Sequence, residues 1–226
     1  MLHLLIAIGI FLATHIVLAE NPVRGVLVRA MGERPFVWTY GALAILQLIW
    51  VGEAVEGAPI VRYWQPPGWT SAIPLIVMPL ALLLLVCGFT QNNPTASLAS
   101  GRLARREVTG ILAITRNPVM WGLGLWALAH LAVVAEVAEA LRYGAFAALA
   151  LLFLPRIEAK QRAKWGDAAW ADFTARSSSV PFAALLQGRA RLDWRAIGWL
   201  RIAAAIALYL ALILWLHAGL IGVAVW

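Results

Sequence analysis

Two histidines stand in stretches built for lipid. His15 lies in "LATHIVLA" and His130 near the far end of "TRNPVMWGLGLWALAHLAVV". Helical spacing surrounds His15 with Phe11, Leu12, Leu18 and Ala19, and His130 with Trp126, Ala127, Val133 and Val134. Neither ring has a polar side chain in reach on its own helix. An imidazole with unpaired nitrogens in hydrocarbon costs on the order of 2–7 kcal/mol by transfer estimates, so a partner is expected from another helix. Two kinds of chemistry supply one: an interhelical hydrogen bond or ligation of a metal. Histidine suits either, because its neutral ring avoids burying a charge.

Two neutral imidazoles facing one apolar, aromatic-lined space is what a membrane haem requires. Arg24, Arg29 and Arg116 stand where they neutralise propionates. Depth works against the pairing: His15 is about 5 residues from the inner end of its run and His130 about 12, a difference of roughly 10 Å. Tilt, or a first helix that continues past Pro22, absorbs it. Depth alone pairs His130 with His217. The other ionisable groups of the apolar runs lie near their ends. His3 and Glu53 read as solvated, and His217 as interfacial. No nucleophile elbow, phosphate loop, HExxH or paired-carboxylate motif is present. The single cysteine, Cys87, excludes an intramolecular disulfide and a CxxC metal site, and reads as a small apolar residue within a helix.

The elements that position these groups follow from composition. Of 226 residues, 62% are hydrophobic and 13% charged, against about half and a quarter in soluble domains. That places the chain in a membrane. A crossing helix takes roughly 20 apolar residues, and six runs qualify: 2–19, 36–55, 71–89, 118–135, 137–155 and 198–218. "VLA" before Glu20 resembles a signal-peptide cleavage site. No Lys or Arg precedes the run, so it is read as a retained span. The expected fold is all-α, one transmembrane domain over 1–226.

Formal net charge is +7. Arginines and lysines gather in alternate loops: Arg24, Arg29 and Arg34; then Arg102, Arg105, Arg106 and Arg116; then 156–197. The positive-inside rule explains the charge better than nucleic acid as a partner does, and it directs both termini away from the cytoplasm. Asn117 and Pro118 read as N-cap and first helical residue. "WQPPGW" at 64–69 is a non-helical approach to the third span. "IEAKQRAKWGDAAWADFTA" sets Ile157, Trp165, Ala169 and Phe173 on one stripe, an amphipathic helix expected to lie on the cytoplasmic surface.

Three segments together resemble the NnrU membrane proteins of bacterial nitrogen-oxide respiration (denitrification) and their plant relative, zeta-carotene isomerase. They are "LATHIVLA", "ITRNPVMWGLGLWALAHL" and "WGDAAWADFTARSSSVPFAALLQGRARL". The resemblance implies haem b held through iron by His15 and His130, with Arg24 and Arg116 beside it. It also implies either redox-gated cis–trans isomerisation of a lipid-soluble polyene such as a carotenoid, or an accessory role in nitrogen-oxide respiration. Its setting would be the bacterial inner membrane, among lipids and with a redox partner. Ala127 stands where the plant segment has cysteine, so no thiolate can replace an imidazole there. Asn117 stands where the family has histidine, and cannot ligate or shuttle protons. "TRNPVMWG" followed by "E…WGDAAWADF…VPF" also resembles the isoprenylcysteine and phospholipid methyltransferases. Under that resemblance Arg116 and Glu158 would contact S-adenosylmethionine.

Overall fold

The computed structural model describes residues 1–19, 21–91 and 108–222. Their regular structure is helical, apart from one isolated antiparallel bridge, Arg62 with Glu136. In chain order the helices are α1 (Leu2–Ala19), α2 (Asn21–Met31), α3 (Glu33–Glu56), α4 (Ala72–Thr90), α5 (Ile111–Ile114), α6 (Pro118–Leu131) and α7 (Val137–Leu152). There follow α8 (Leu154–Trp165), α9 (Asp167–Arg176), α10 (Ala183–Leu186), α11 (Trp194–Ile197), α12 (Trp199–Ala211) and α13 (His217–Ile221), with a π-helical turn at Leu212–Leu216 before the last. Two compact units emerge. One comprises Met1–Pro67 with Val133–Ala145, the other Gly68–Ala132 with Phe146–Trp226.

In the first unit α1 and α3 lie antiparallel. Trp50 Nε1 donates to His3 Nε2 (2.8 Å) at one end, and Thr14 Oγ1 donates to Gln47 Oε1 (3.0 Å) towards the other. Gln47 is buried, and that bond answers the cost of placing an amide among apolar side chains. The extended segment after α3 pairs with the residues before α7: Tyr63 N donates to Ala135 O, and Val137 N to Val61 O. Trp64 Nε1 adds a bond to Val134 O (2.7 Å).

In the second unit α4 and α6 run antiparallel at close range. A Cβ on Gly122 would stand 2.7 Å from Leu85 Cγ and 2.9 Å from Ala81 O, and one on Gly88 2.6 Å from Val119 Cγ2. Small residues at the crossing let two backbones approach, as membrane helices require when no hydrophobic effect drives them together. α12 lies antiparallel to α4: Arg201 reaches Thr90, and Tyr209 Oη donates to Leu75 O (3.0 Å). Where α4 ends and α6 begins, Leu84, Cys87, Ile111, Leu112, Ile114 and Ile197 close into an apolar core. Cys87 is thus the buried packing residue that its sequence setting implies.

Four helical stretches are long and apolar enough to cross a membrane: Glu33–Glu56, Gly68–Thr90, Val137–Trp165 and Trp199–Gly219. The bent pair formed by α1 and α2 makes a fifth if taken as one span. The remaining expected span, 118–135, is shorter as a helix. α6 stops at Leu131 after 14 residues, about 21 Å of rise, and the residues beyond it turn and extend. Large apolar side chains point outward along these helices, including Trp38, Ile45, Leu46 and Ile49 on α3 and Leu200 and Ile206 on α12. Outward apolar faces of this extent suit lipid rather than water.

The stripe expected along a single amphipathic helix is carried by two. Gly166, at φ 85°, breaks the chain between α8 and α9. Trp165, Trp170 and Phe173 then pack edge-on or tilted against one another with ring centroids 5.3–5.8 Å apart, and Phe173 is 1% exposed. A straight helix would have kept these rings in a row; the glycine lets them close into a cluster.

Candidate functional site

His15 sits one turn before the end of α1. Its Nδ1 lies 2.8 Å from the carbonyl of Phe11, on its own helix. The Phe11 ring packs on the imidazole at 4.2 Å, and Tyr40 of α3 meets it edge-on at 5.5 Å. His130 repeats the arrangement at the end of α6. Its Nδ1 lies 2.8 Å from the carbonyl of Trp126, whose ring is 5.7 Å away and stacks in turn on Phe146 at 5.8 Å. In both cases the backbone one turn earlier supplies a polar partner to Nδ1. Side-chain periodicity hides it, because the group concerned is a carbonyl present at every position.

A carbonyl only accepts, so Nδ1 carries the proton in each neutral ring and Nε2 carries the lone pair. A ring held by Nδ1 on a backbone carbonyl is the usual preparation of an imidazole ligand. Haem iron brings four nitrogens of its own and asks the protein for one or two. Each histidine fits that demand in tautomer and surroundings. The first unit holds His15 and the second holds His130. α1 does not continue straight past Pro22, since α2 departs at 76°.

The other ionisable groups fall as follows. His3 accepts from Trp50 Nε1. Glu53 is exposed near the end of α3, and His217 opens α13. Arg24 pairs with Glu33 (2.5 Å) and lies over the Phe36 ring. Arg116 is held by Glu158 on two nitrogens. Both arginines thus have their charge matched within the protein, and a propionate at either would have to displace a carboxylate.

That Arg116 cluster is the most densely bonded polar feature of the second unit. Nε and Nη2 of Arg116 donate to Oε1 and Oε2 of Glu158 at 2.8 and 3.0 Å. Asn117 occupies the N-cap position of α6, but its side chain makes no cap bond. Its amide turns instead to Glu158 Oε1 (2.7 Å) and Ser179 Oγ (3.1 Å). The backbone of 177–182 runs alongside: Arg116 N donates to Ser178 O, Thr115 Oγ1 to Ser179 O, and Phe182 N to Ile114 O. Phe182 adopts φ 64°, a conformation a bulky residue takes only when its surroundings impose it. Asn117 Oδ1, Trp121 Nε1, Gln161 Oε1 and Trp165 Nε1 are buried with no hydrogen-bond partner among the described residues. Such atoms on α6 and α8 are unusual in native structures and mark a polar locality.

A family model described as NnrU protein matches residues 3–225. The chain belongs to the NnrU family. No curated protein and no solved structure matches it. In this NnrU protein, two of the three segments that carry the resemblance are brought into contact: "ITRNP" at 114–118 is bonded to "SSSVPF" at 177–182. Sequence reading missed Ser177, Ser178, Ser179 and Tyr40. The serines had a signal, a polar run beside "PF" in a matched segment. Tyr40 had none.

Proposed function

We propose that this NnrU-family protein is a haem-binding integral membrane protein, with His15 and His130 as the iron ligands. The observation that carries the reading is the matched state of the two imidazoles. Each is half-buried beside an aromatic ring, and each has Nδ1 fixed by the carbonyl four residues earlier, so that Nε2 is the ligating nitrogen. We place the chain in the bacterial inner membrane with six crossings, α1 and α6 included, both termini periplasmic, and the α8–α9 pair at the cytoplasmic face. When bound, haem b supplies a redox-switchable centre able to shift the electron density of a double bond. The chain's own work is to hold each imidazole in one tautomer and orientation, with Phe11 and Tyr40 packed beside His15 and Trp126 beside His130. The substrate class is a lipid-soluble polyene, taken through redox-dependent cis–trans isomerisation; an accessory role in nitrogen-oxide respiration rests on the same ligands.

Protein purified after expression with added haem precursor tests this. A Soret band that shifts on reduction supports the reading; its absence from well-folded protein rejects it. One observation favours a second reading. Arg116 and Glu158, distant in sequence, share one place, as a methyltransferase that binds S-adenosylmethionine through them requires. Calorimetric titration with S-adenosylmethionine separates the two.

A further inference from the structure

In the second unit, the last turn of α4, the first turn of α6 and the first turn of α12 meet at one end. Gln91 Nε2 donates to the carbonyls of Ala196 and Ile197 (3.0 and 2.9 Å), and Arg201 to Thr90. The segment 166–198 caps that end. Between that segment and Val108 and Thr109 lies a surface pocket of about 300 Å³, lined also by Arg176, Gly188, Arg189 and Arg191. Among the described residues that line it, none is acidic. Asp172 matches Arg176 at 2.6 Å, whereas Arg189 and Arg191 have no carboxylate partner among the described residues. Arg189 is also fixed in place: its Nη1 donates to the carbonyls of Thr174, Ala175 and Ser177 at 3.1, 2.9 and 2.8 Å, closing the C-terminus of α9.

We propose that this pocket binds the phosphate of an anionic phospholipid headgroup. Arginine pairs with phosphate through its planar fork; Arg191 brings that fork, and Arg189, whose Nε and Nη1 are taken by Gln187 and the α9 carbonyls, adds a second positive charge beside it. The rim decides between a lipid and a soluble phosphate. Leu186, two residues before Gly188, is 87% exposed, and Trp194, three after Arg191, is 51% exposed. Apolar side chains beside a basic pocket match a headgroup with acyl chains next to it; a soluble phosphate has no use for them. The site involves neither His15 nor His130, and stands whatever those residues bind.

The full-length protein in zwitterionic detergent is titrated with phosphatidylglycerol or phosphatidylcholine, and bound lipid is counted by native mass spectrometry. The wild type prefers phosphatidylglycerol. Arg191→Gln lowers that preference about fivefold, and Arg191→Lys restores part of it. Arg195→Gln removes the same charge from an exposed residue outside the pocket and leaves the preference unchanged. Equal losses in Arg191→Gln and Arg195→Gln would reduce the effect to general surface charge and overturn the site. Binding of inorganic phosphate at the arginines with no lipid preference would overturn the lipid assignment.

Discussion

Arg116 and Glu158 stand 42 residues apart in the chain and face each other through two parallel hydrogen bonds of 2.8 and 3.0 Å. The pair joins the segment leading into α6 to α8, with only 13% and 18% of the side chains exposed. Asn117 donates to the same carboxylate, so removing Glu158 takes the charge partner from a guanidinium and an acceptor from an amide together.

Breaking this pair is expected to be expensive. Removing one partner of a fully buried ion pair costs about 3–5 kcal/mol, and this part-buried pair should lose somewhat less. Arg116→Ala and Glu158→Ala should each lower the unfolding temperature in detergent markedly, and the double variant should lose less than the sum. Arg116→Lys should recover little, since an ammonium cannot reproduce the two-point contact. Additive losses would show that the two groups act apart.

The histidines should separate by role. His15→Ala and His130→Ala are each expected to lose most bound haem or to convert a six-coordinate low-spin spectrum to high-spin. His3→Ala and His217→Ala should leave the spectrum as it is. With Ala127 one turn before His130, no thiolate stands in for a lost imidazole. A spectrum disturbed by His217→Ala alone would move the second ligand to α13.

Phe173 discriminates between a membrane-docking stripe and an internal cluster. Phe173→Ala removes a buried ring packed on Trp165 and Trp170, and should cost about 3–5 kcal/mol. The loss is expected in detergent without lipid. A deficit that appears only when lipid is present would return Phe173 to the membrane surface.

Orientation can be read by thiol labelling in a Cys87→Ser background. A cysteine at Ala175 should react only once the inner face of the membrane is opened, and one at Ala218 should react in intact cells. The reverse pattern would place the basic segments outside and invalidate the charge argument.

The sequence by itself determined that this chain is a helical membrane protein of the NnrU family, and which histidines to suspect. These features are local or compositional. Apolar runs of fixed length, loop charge and motif identity do not depend on which helix packs on which. The same locality explains where span reading ran long. The apolar run 118–135 continues past Leu131, but the backbone there turns and extends, and hydropathy does not register a change of backbone direction. Only the tertiary structure decided the partners. Glu158 is the single carboxylate of a basic helix, and the resemblance joined it to Arg116 only as a contact to S-adenosylmethionine; the fold bonds it directly to Arg116 and Asn117, from 42 and 41 residues away. Phe173 lies on an apparent surface stripe until Gly166 turns it inward. The partner of each histidine is a carbonyl that every residue possesses, so no side-chain pattern could name it; the helix places it there, and the choice of tautomer follows from its being able only to accept.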